Sequence, residues 1–246
     1  MNAKRKKVVF LLILLVAGLL TAVAGGAAAQ DEDIGPPNPP VLPPHATAFG
    51  KTYAEWSAAW WQWVFSLPDD GSHPILVEGA VDCNYEQDGK VWFLAGAPFE
   101  WDINDVNVVP RNCTEPIPQG KALFFPVANI VCNTHDGDDI TFGSLENCAT
   151  FVTDNFVVPI SAQVDGREVE NLEAYRTISP EFDFSTVEPP LWYPPDVVYQ
   201  GVSGGYYLLL PPLSEGEHNI SFEWAIVVPP DVDWTTRVVY NFSVGK

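Results

Sequence analysis

Gly201-Val202-Ser203-Gly204-Gly205 spells G-x-S-x-G, the pattern that holds a nucleophilic serine on a strained turn between a strand and a helix. That chemistry needs a histidine base oriented by an acid. Pro194-Pro195 stands shortly before the serine, and a strand-like apolar run follows it. The one downstream histidine is His218, with no Asp between the two. The context therefore argues against a serine hydrolase, and a glycine-rich strand connection accounts for the same residues. A second pattern, Glu181-Phe182-Asp183-Phe184, sets two carboxylates on one face of a strand, because strand side chains alternate with period two. Retaining glycosidases hold such a pair about 5–5.5 Å apart, one acting as nucleophile and one as acid. The next acid, Glu188, lies too far along for the compact E-x-D-x-E run of such enzymes, and solvent-facing acids opposite Phe182 and Phe184 are the simpler account. No catalytic residue is assigned; Glu181 and Asp183 mark the alternative of an exported carbohydrate-active hydrolase.

Asn133-Thr134-His135-Asp136-Gly137-Asp138-Asp139 is the densest group of oxygen ligands in the chain. Calcium accepts carboxylate, amide and backbone oxygens in a flexible loop. Asn133, Asp136, Asp138 and Asp139 are accordingly the metal-ligand candidates, and calcium is the one cofactor that the sequence nominates. The spacing is not that of an EF-hand, and an acidic surface turn is the competing reading. His45, His73, His135 and His218 are too scattered to propose a zinc site. Asn112-Cys113-Thr114, Asn219-Ile220-Ser221 and Asn241-Phe242-Ser243 fit the N-glycosylation acceptor pattern, which carries meaning only in a host that glycosylates.

The elements that must position these residues begin with an export segment. Lys4, Arg5, Lys6 and Lys7 precede an apolar run from Val8 to about Ala24, and Ala27-Ala28-Ala29 offers the small side chains that a signal peptidase needs. Residues 1–29 read as a signal peptide. The run approaches the roughly 17–25 residues that span a bilayer, so a retained N-terminal anchor is the rival reading and the one route to a membrane. Cleavage would leave 217 of the 246 residues, and losing four basic side chains would take the formal charge from −20 to −24. Such a surface repels nucleic acid and anionic lipid and attracts cations and basic partners. Cys83, Cys113, Cys132 and Cys148 form an even set in an exported chain and lack the CxxC spacing of metal or redox sites, so two disulfides are expected. Pairing Cys83 with Cys113 and Cys132 with Cys148 crosses no connection and is the expected arrangement.

Residues 30–48 form a proline-rich acidic linker, and 49–246 a single domain. Residues 51–66 carry a helical pattern, with Tyr53, Trp56, Trp60, Trp61, Trp63 and Val64 on one face and Glu55, Ala58, Ala59 and Gln62 opposite. A tryptophan stripe suits sugar stacking or membrane contact, but its first use is to cover a sheet with large apolar surface. Ser144 can cap a second short helix with Leu145, Cys148, Phe151 and Val152 on one side. Elsewhere short runs rich in β-branched and aromatic residues argue strands, among them 91–94, 122–131, 156–164, 206–210, 218–228 and 238–244. Asp165-Gly166 and Ser214 to Glu217 read as hairpin turns. The fold class is all-β: a β-sandwich, jelly-roll or immunoglobulin-like, with an aromatic N-terminal helix and one further short helix.

Gly50-Lys51-Thr52-Tyr53-Ala54-Glu55-Trp56 through Trp63, Val91-Trp92-Phe93-Leu94-Ala95-Gly96, Gly120-Lys121-Ala122-Leu123-Phe124-Phe125-Pro126, and Pro212-Leu213-Ser214-Glu215-Gly216-Glu217-His218-Asn219-Ile220 together resemble an uncharacterised family of exported bacterial proteins. Tyr175 to Phe182 and Gly205 to Leu208 extend the likeness over most of residues 50–244. The resemblance implies an exported domain and transfers no activity or catalytic residue. The Pro-Leu-Ser-x-Gly-x-His stretch also resembles a late turn and strand of immunoglobulin-like sandwiches, a likeness shared by many functions. The expectation is a secreted or cell-surface binding or structural module with a glycan or a cell-surface protein as candidate partner.

Overall fold

A computed structural model describes residues 41–97, 107–228 and 232–246. The export segment 1–29 and residues 30–40 of the linker lie outside the described residues. In chain order the elements are α1 (Tyr53–Ser66), β1 (Gly79–Val81), β2 (Val91–Phe93), β3 (Asn107–Cys113), β4 (Ile117–Pro118), β5 (Ala122–Asn133), α2 (Asp138–Phe142), α3 (Leu145–Phe156), β6 (Val157–Val164) and β7 (Arg167–Glu168). A 3₁₀ turn at Leu172–Tyr175 precedes β8 (Arg176–Ile178), β9 (Phe182–Phe184), β10 (Tyr199–Leu210), β11 (Gly216–Val228) and β12 (Val232–Gly245). The strands form two mixed sheets. One runs β1-β3-β12-β11-β6-β7, with β4 also on β12; the other runs β2-β5-β10-β8, with β9 also on β10. The fold is a β-sandwich, and its parallel pairs, β1 with β3, β3 with β12, β4 with β12 and β2 with β5, depart from pure hairpin order.

Period-two alternation explains why the smaller sheet is buried on both faces. Leu123 and Phe125 of β5 and Leu208 and Leu210 of β10 point inward to Ile220, Phe222, Val238, Tyr240 and Phe242 of the larger sheet. Their neighbours Ala122, Phe124, Tyr207 and Leu209 point the other way and meet α1. A strand covered twice reads as an unbroken apolar run, which is what Ala-Leu-Phe-Phe and Tyr-Leu-Leu-Leu are. The chain is thus a helix laid on a sandwich.

Thr52 starts α1 with a capping box. Its hydroxyl accepts from Glu55 N at 3.3 Å, and Glu55 Oε2 accepts from Thr52 N at 2.8 Å. The helix is buried more completely than its stripe predicts: Ser57, Ala58 and Phe65 are inside along with Tyr53, Trp60, Trp61 and Trp63. Trp56, Trp60 and Trp63 each donate an indole N–H to a main-chain carbonyl, of Ala48, Leu94 and Glu86 respectively. These three tryptophans are therefore packing groups with satisfied polar ends, whereas the buried Trp61 Nε1 has no hydrogen-bond partner among the described residues. Residues 41–48 of the linker belong to this body, since Leu42 N donates to Leu209 O and Leu42 O accepts from the Tyr53 hydroxyl.

Ser144 caps α3 by accepting from Asn147 N at 3.1 Å, and Leu145, Cys148, Ala149 and Thr153 form its buried side. Phe151, expected on that side, is 46% exposed, because Ala149 and Thr153 take the seat on β10. Two helices follow β5 instead of one: α2 falls within the acidic stretch. Disulfides join Cys83 to Cys113, Cα atoms 5.3 Å apart, and Cys132 to Cys148, 6.1 Å apart. Both are the sequential pairs, and their persistence requires an oxidising compartment. Among the described residues no helix is long and apolar enough to cross a membrane.

The turn at Asp165-Gly166 is a tight hairpin, both residues having positive φ, between β6 and β7. Ser214 to Glu217 is no hairpin. It carries the chain from β10 in one sheet to β11 in the other. His218 secures this arch, with Nε2 2.9 Å from Ser214 O and Nδ1 2.9 Å from Asp165 Oδ2, while Asp165 Oδ1 accepts from Asn219 N.

Candidate functional site

Ser203 lies in the middle of β10, fully buried. Its Oγ sits 2.5 Å from the Tyr207 hydroxyl and its backbone N donates to Ser179 Oγ at 2.8 Å. His218 is committed to the arch, and no helix follows the serine. The G-x-S-x-G residues are thus neither a nucleophile elbow nor a connection between strands; they are a strand whose glycines admit neighbours. A Cβ on Gly204 would stand 2.1 Å from Thr153 Oγ1 and 2.8 Å from Ala149 O, and one on Gly205 would stand 2.3 Å from Ala128 O. Burial pushes the Tyr207 hydroxyl up to about 12, the Ser203 and Asn129 hydrogen bonds opposing that rise.

Glu181 and Asp183 are exposed on either side of the buried Phe182, and Phe184 is buried after them. The two phenylalanines pack beneath α1, and Gln62 Nε2 donates to Asp183 O at 2.9 Å. Neither carboxylate lines the large cavity described below.

Of the four calcium candidates, Asn133, Asp136 and Asp138 bond to one another, and Asp139 stands beside Asp138. Asn133, fully buried, donates Nδ2 to Asp136 Oδ2 at 2.8 Å and accepts from Asp136 N through Oδ1 at 3.1 Å. Asp138 Oδ2 accepts from Asn133 N at 2.9 Å, and Asp138 and Asp139 occupy the first turn of α2. Burial raises the Asp138 carboxyl, with the Asp136 and Asp139 charges adding to it against the Asn133 bond. Asp138 also lies within 4.8 Å of the Cys132 and Cys148 sulfurs, which the disulfide removes as thiolate ligands.

The three sequon asparagines are cross-strand neighbours on β3, β12 and β11. Asn241 Nδ2 donates to Asn112 Oδ1 at 2.9 Å, and Asn219 Nδ2 donates to Asn241 Oδ1 at 2.8 Å. The amides serve as a polar ladder on the sheet. Of the histidines, His45 is exposed, and His73 is buried with Nε2 3.0 Å from Val64 O and Nδ1 accepting from Ile75 N.

The feature that sequence reasoning misses is a cavity of about 490 Å³ beside these groups. It opens between the C-terminal half of α1 (Trp60, Trp61), the end of β5 (Asn129 to Val131), the segment Trp192-Tyr193 and Trp224 of β11. A β-bulge precedes this part of β5: Tyr206 pairs with Ala128 and Tyr207 with Pro126, leaving Val127 extra. Arg111 holds another part of the wall. Fully buried, its guanidinium donates to the carbonyls of Pro74, Ile75 (3.0 Å) and Gly96 (2.9 Å), with no carboxylate partner among the described residues. Ile75, Gly96 and Ala97 line the cavity.

Asp136 is the charged residue of the lining. Burial alone would raise its carboxyl, but donation from His135, Asn133 and Tyr193 outweighs it and holds the group below the ordinary carboxylate range. The Tyr193 hydroxyl, 3.2 Å from Asp136 Oδ2, is pushed up by burial and by that charge. The arrangement is a concave aromatic seat with a negatively charged side chain on its wall. Compared with protein-family models, with curated proteins and with solved structures, the chain matches none.

Proposed function

We propose that this chain is an exported binding module, secreted or held at the cell surface, that seats a small ligand in the aromatic cavity. The observation that carries the reading is the 490 Å³ cavity itself, walled by indole and phenol rings and built on a disulfide-stapled sandwich. Its volume falls in the range of about 300–1,000 Å³ typical of small-molecule sites, and its mix of apolar walls with a few oriented polar groups is what such sites use. The export-type N-terminus and the likeness to the exported bacterial family support the location. The exposed setting of Glu181 and Asp183 favours a module over a glycosidase.

The test is a ligand panel of neutral sugars, organic cations and organic anions, followed by tryptophan fluorescence on the protein and on Trp192→Leu. Trp192 is 49% exposed at the cavity, so its loss leaves the core intact. At least one class should bind saturably and about tenfold more weakly to the variant, the scale expected for losing one aromatic wall. No saturable binder in any class would sink the reading.

A further inference from the structure

Resting on that reading, the lining chemistry narrows the ligand, and we infer that the cavity takes an organic cation: an alkylammonium or quaternary ammonium group seated among the rings and opposite the Asp136 carboxylate. Three observations carry this. The rings present negative π-faces, which attract a cation placed within about 6 Å of a ring centroid. The lining holds an acidic side chain, Asp136, and no lysine or arginine, in a chain of formal charge −20; the Arg111 guanidinium lies behind the wall on the Ile75 and Gly96 carbonyls, away from the Asp136 side. Several donors of the lining are engaged within the fold: Trp60 Nε1 with Leu94 O, Asn129 Nδ2 with the Tyr207 hydroxyl, and the Tyr193 hydroxyl with Asp136. Trp61 Nε1 is buried with no hydrogen-bond partner among the described residues. A cation can use the ring surface and the negative charge of this wall together.

The half-exposed Asp136 carboxylate is oriented by Asn133 and Tyr193 at Oδ2 and by His135 at Oδ1, 3.0 Å away. A preoriented charge loses little freedom on binding, which favours affinity. Sugars stack on such rings too, but exchanging the carboxylate for an amide weakens only a hydrogen bond to them, whereas it takes from a cation its counter-charge. The carboxylate is therefore the discriminating group.

The experiment compares choline with its uncharged isostere 3,3-dimethyl-1-butanol, by calorimetry and tryptophan fluorescence, on the protein, on Asp136→Asn and on Trp192→Leu. Choline is expected to bind at least tenfold more tightly than the isostere, to lose about tenfold in Asp136→Asn and in Trp192→Leu, and to weaken as salt is raised. The isostere should be insensitive to Asp136→Asn. Should Asp136→Asn fail to fold, the salt dependence and the choline-to-isostere ratio on the unmodified protein decide the matter. Equal affinity for choline and isostere, or salt-independent choline binding, overturns the cation inference. If a neutral sugar binds, is lost in Trp192→Leu, and choline does not bind, the cavity reading stands and the cation inference falls. Absence of binding by every probe overturns both.

Discussion

Burial of Ser203 turns on the glycines that follow it. Gly204 brings β10 against α3, and only hydrogen fits where Thr153 Oγ1 and Ala149 O converge. Gly204→Ala should therefore destabilise the protein by about 3 kcal/mol, an overpacking cost, measured by urea denaturation, and a variant of ordinary stability would show that α3 shifts freely. His73 supplies a pH-dependent term. Burial lowers its pKa below the ordinary value, against the opposing Val64 hydrogen bond, so the folded chain keeps this imidazole neutral where the unfolded chain protonates it. The unfolded form binds more protons in the window from about pH 6.5 down to the lowered folded value. Stability from this group is full above about pH 6.5 and is lost as pH falls through that window. His73→Gln should flatten the acid side of the stability–pH curve while lowering its plateau; an unchanged slope would assign the acid sensitivity elsewhere.

At the scale of elements, α1 is where local and tertiary preferences agree. The capping box at Thr52 and Glu55 begins it, an aromatic stripe seats it, and Leu67-Pro68 follows its end. Thr52→Ala should cost about 1 kcal/mol, read from the urea midpoint, since it frees the Glu55 N–H and the box partner together. Strand β10 is the contrary case. Its first half, Tyr199 to Gly205, looks like a turn because glycine and serine seldom favour strands. What makes it a strand is pairing with β5 along one edge and with β8 and β9 along the other, joined to the close seat of α3. Local pattern likewise reads Ser214 to Glu217 as a hairpin turn where the structure has an arch, because a turn between two apolar runs looks the same whether the second strand pairs beside the first or crosses to the facing sheet.

Over the whole molecule the excess of acids sets a further expectation. Thirty-two acidic and twelve basic residues give the formal charge of −20, and self-repulsion of that size opposes the compact state. Sodium chloride should raise the melting temperature as the screening length falls below about 10 Å. Calcium chloride at matched ionic strength should raise it no further, because Asn133, Asp136 and Asp138 already satisfy one another. An additional calcium-specific rise would establish a metal site at the acidic loop.

Composition and period were enough to read the all-β class, the aromatic helix, the sequential disulfides and the inward face of β12, where Tyr240, Phe242 and Val244 alternate with more exposed neighbours. The strands and helix rest on local rules, side-chain alternation and capping, that act over a few residues, while the disulfides, spanning 30 and 16 residues, follow from the even cysteine set and an order of pairing that crosses no connection. The cavity obeys no such rule. Its walls come from positions 60, 129, 192 and 224, and their meeting depends on the bulge at Val127, on the parallel strands and on the Arg111 clasp, each of them set by packing between segments far apart in the chain. Asp136 shows the same division: as a residue it reads as a surface acid or a metal ligand, and its place on an aromatic wall follows from Tyr193 arriving 57 residues later to hold it there.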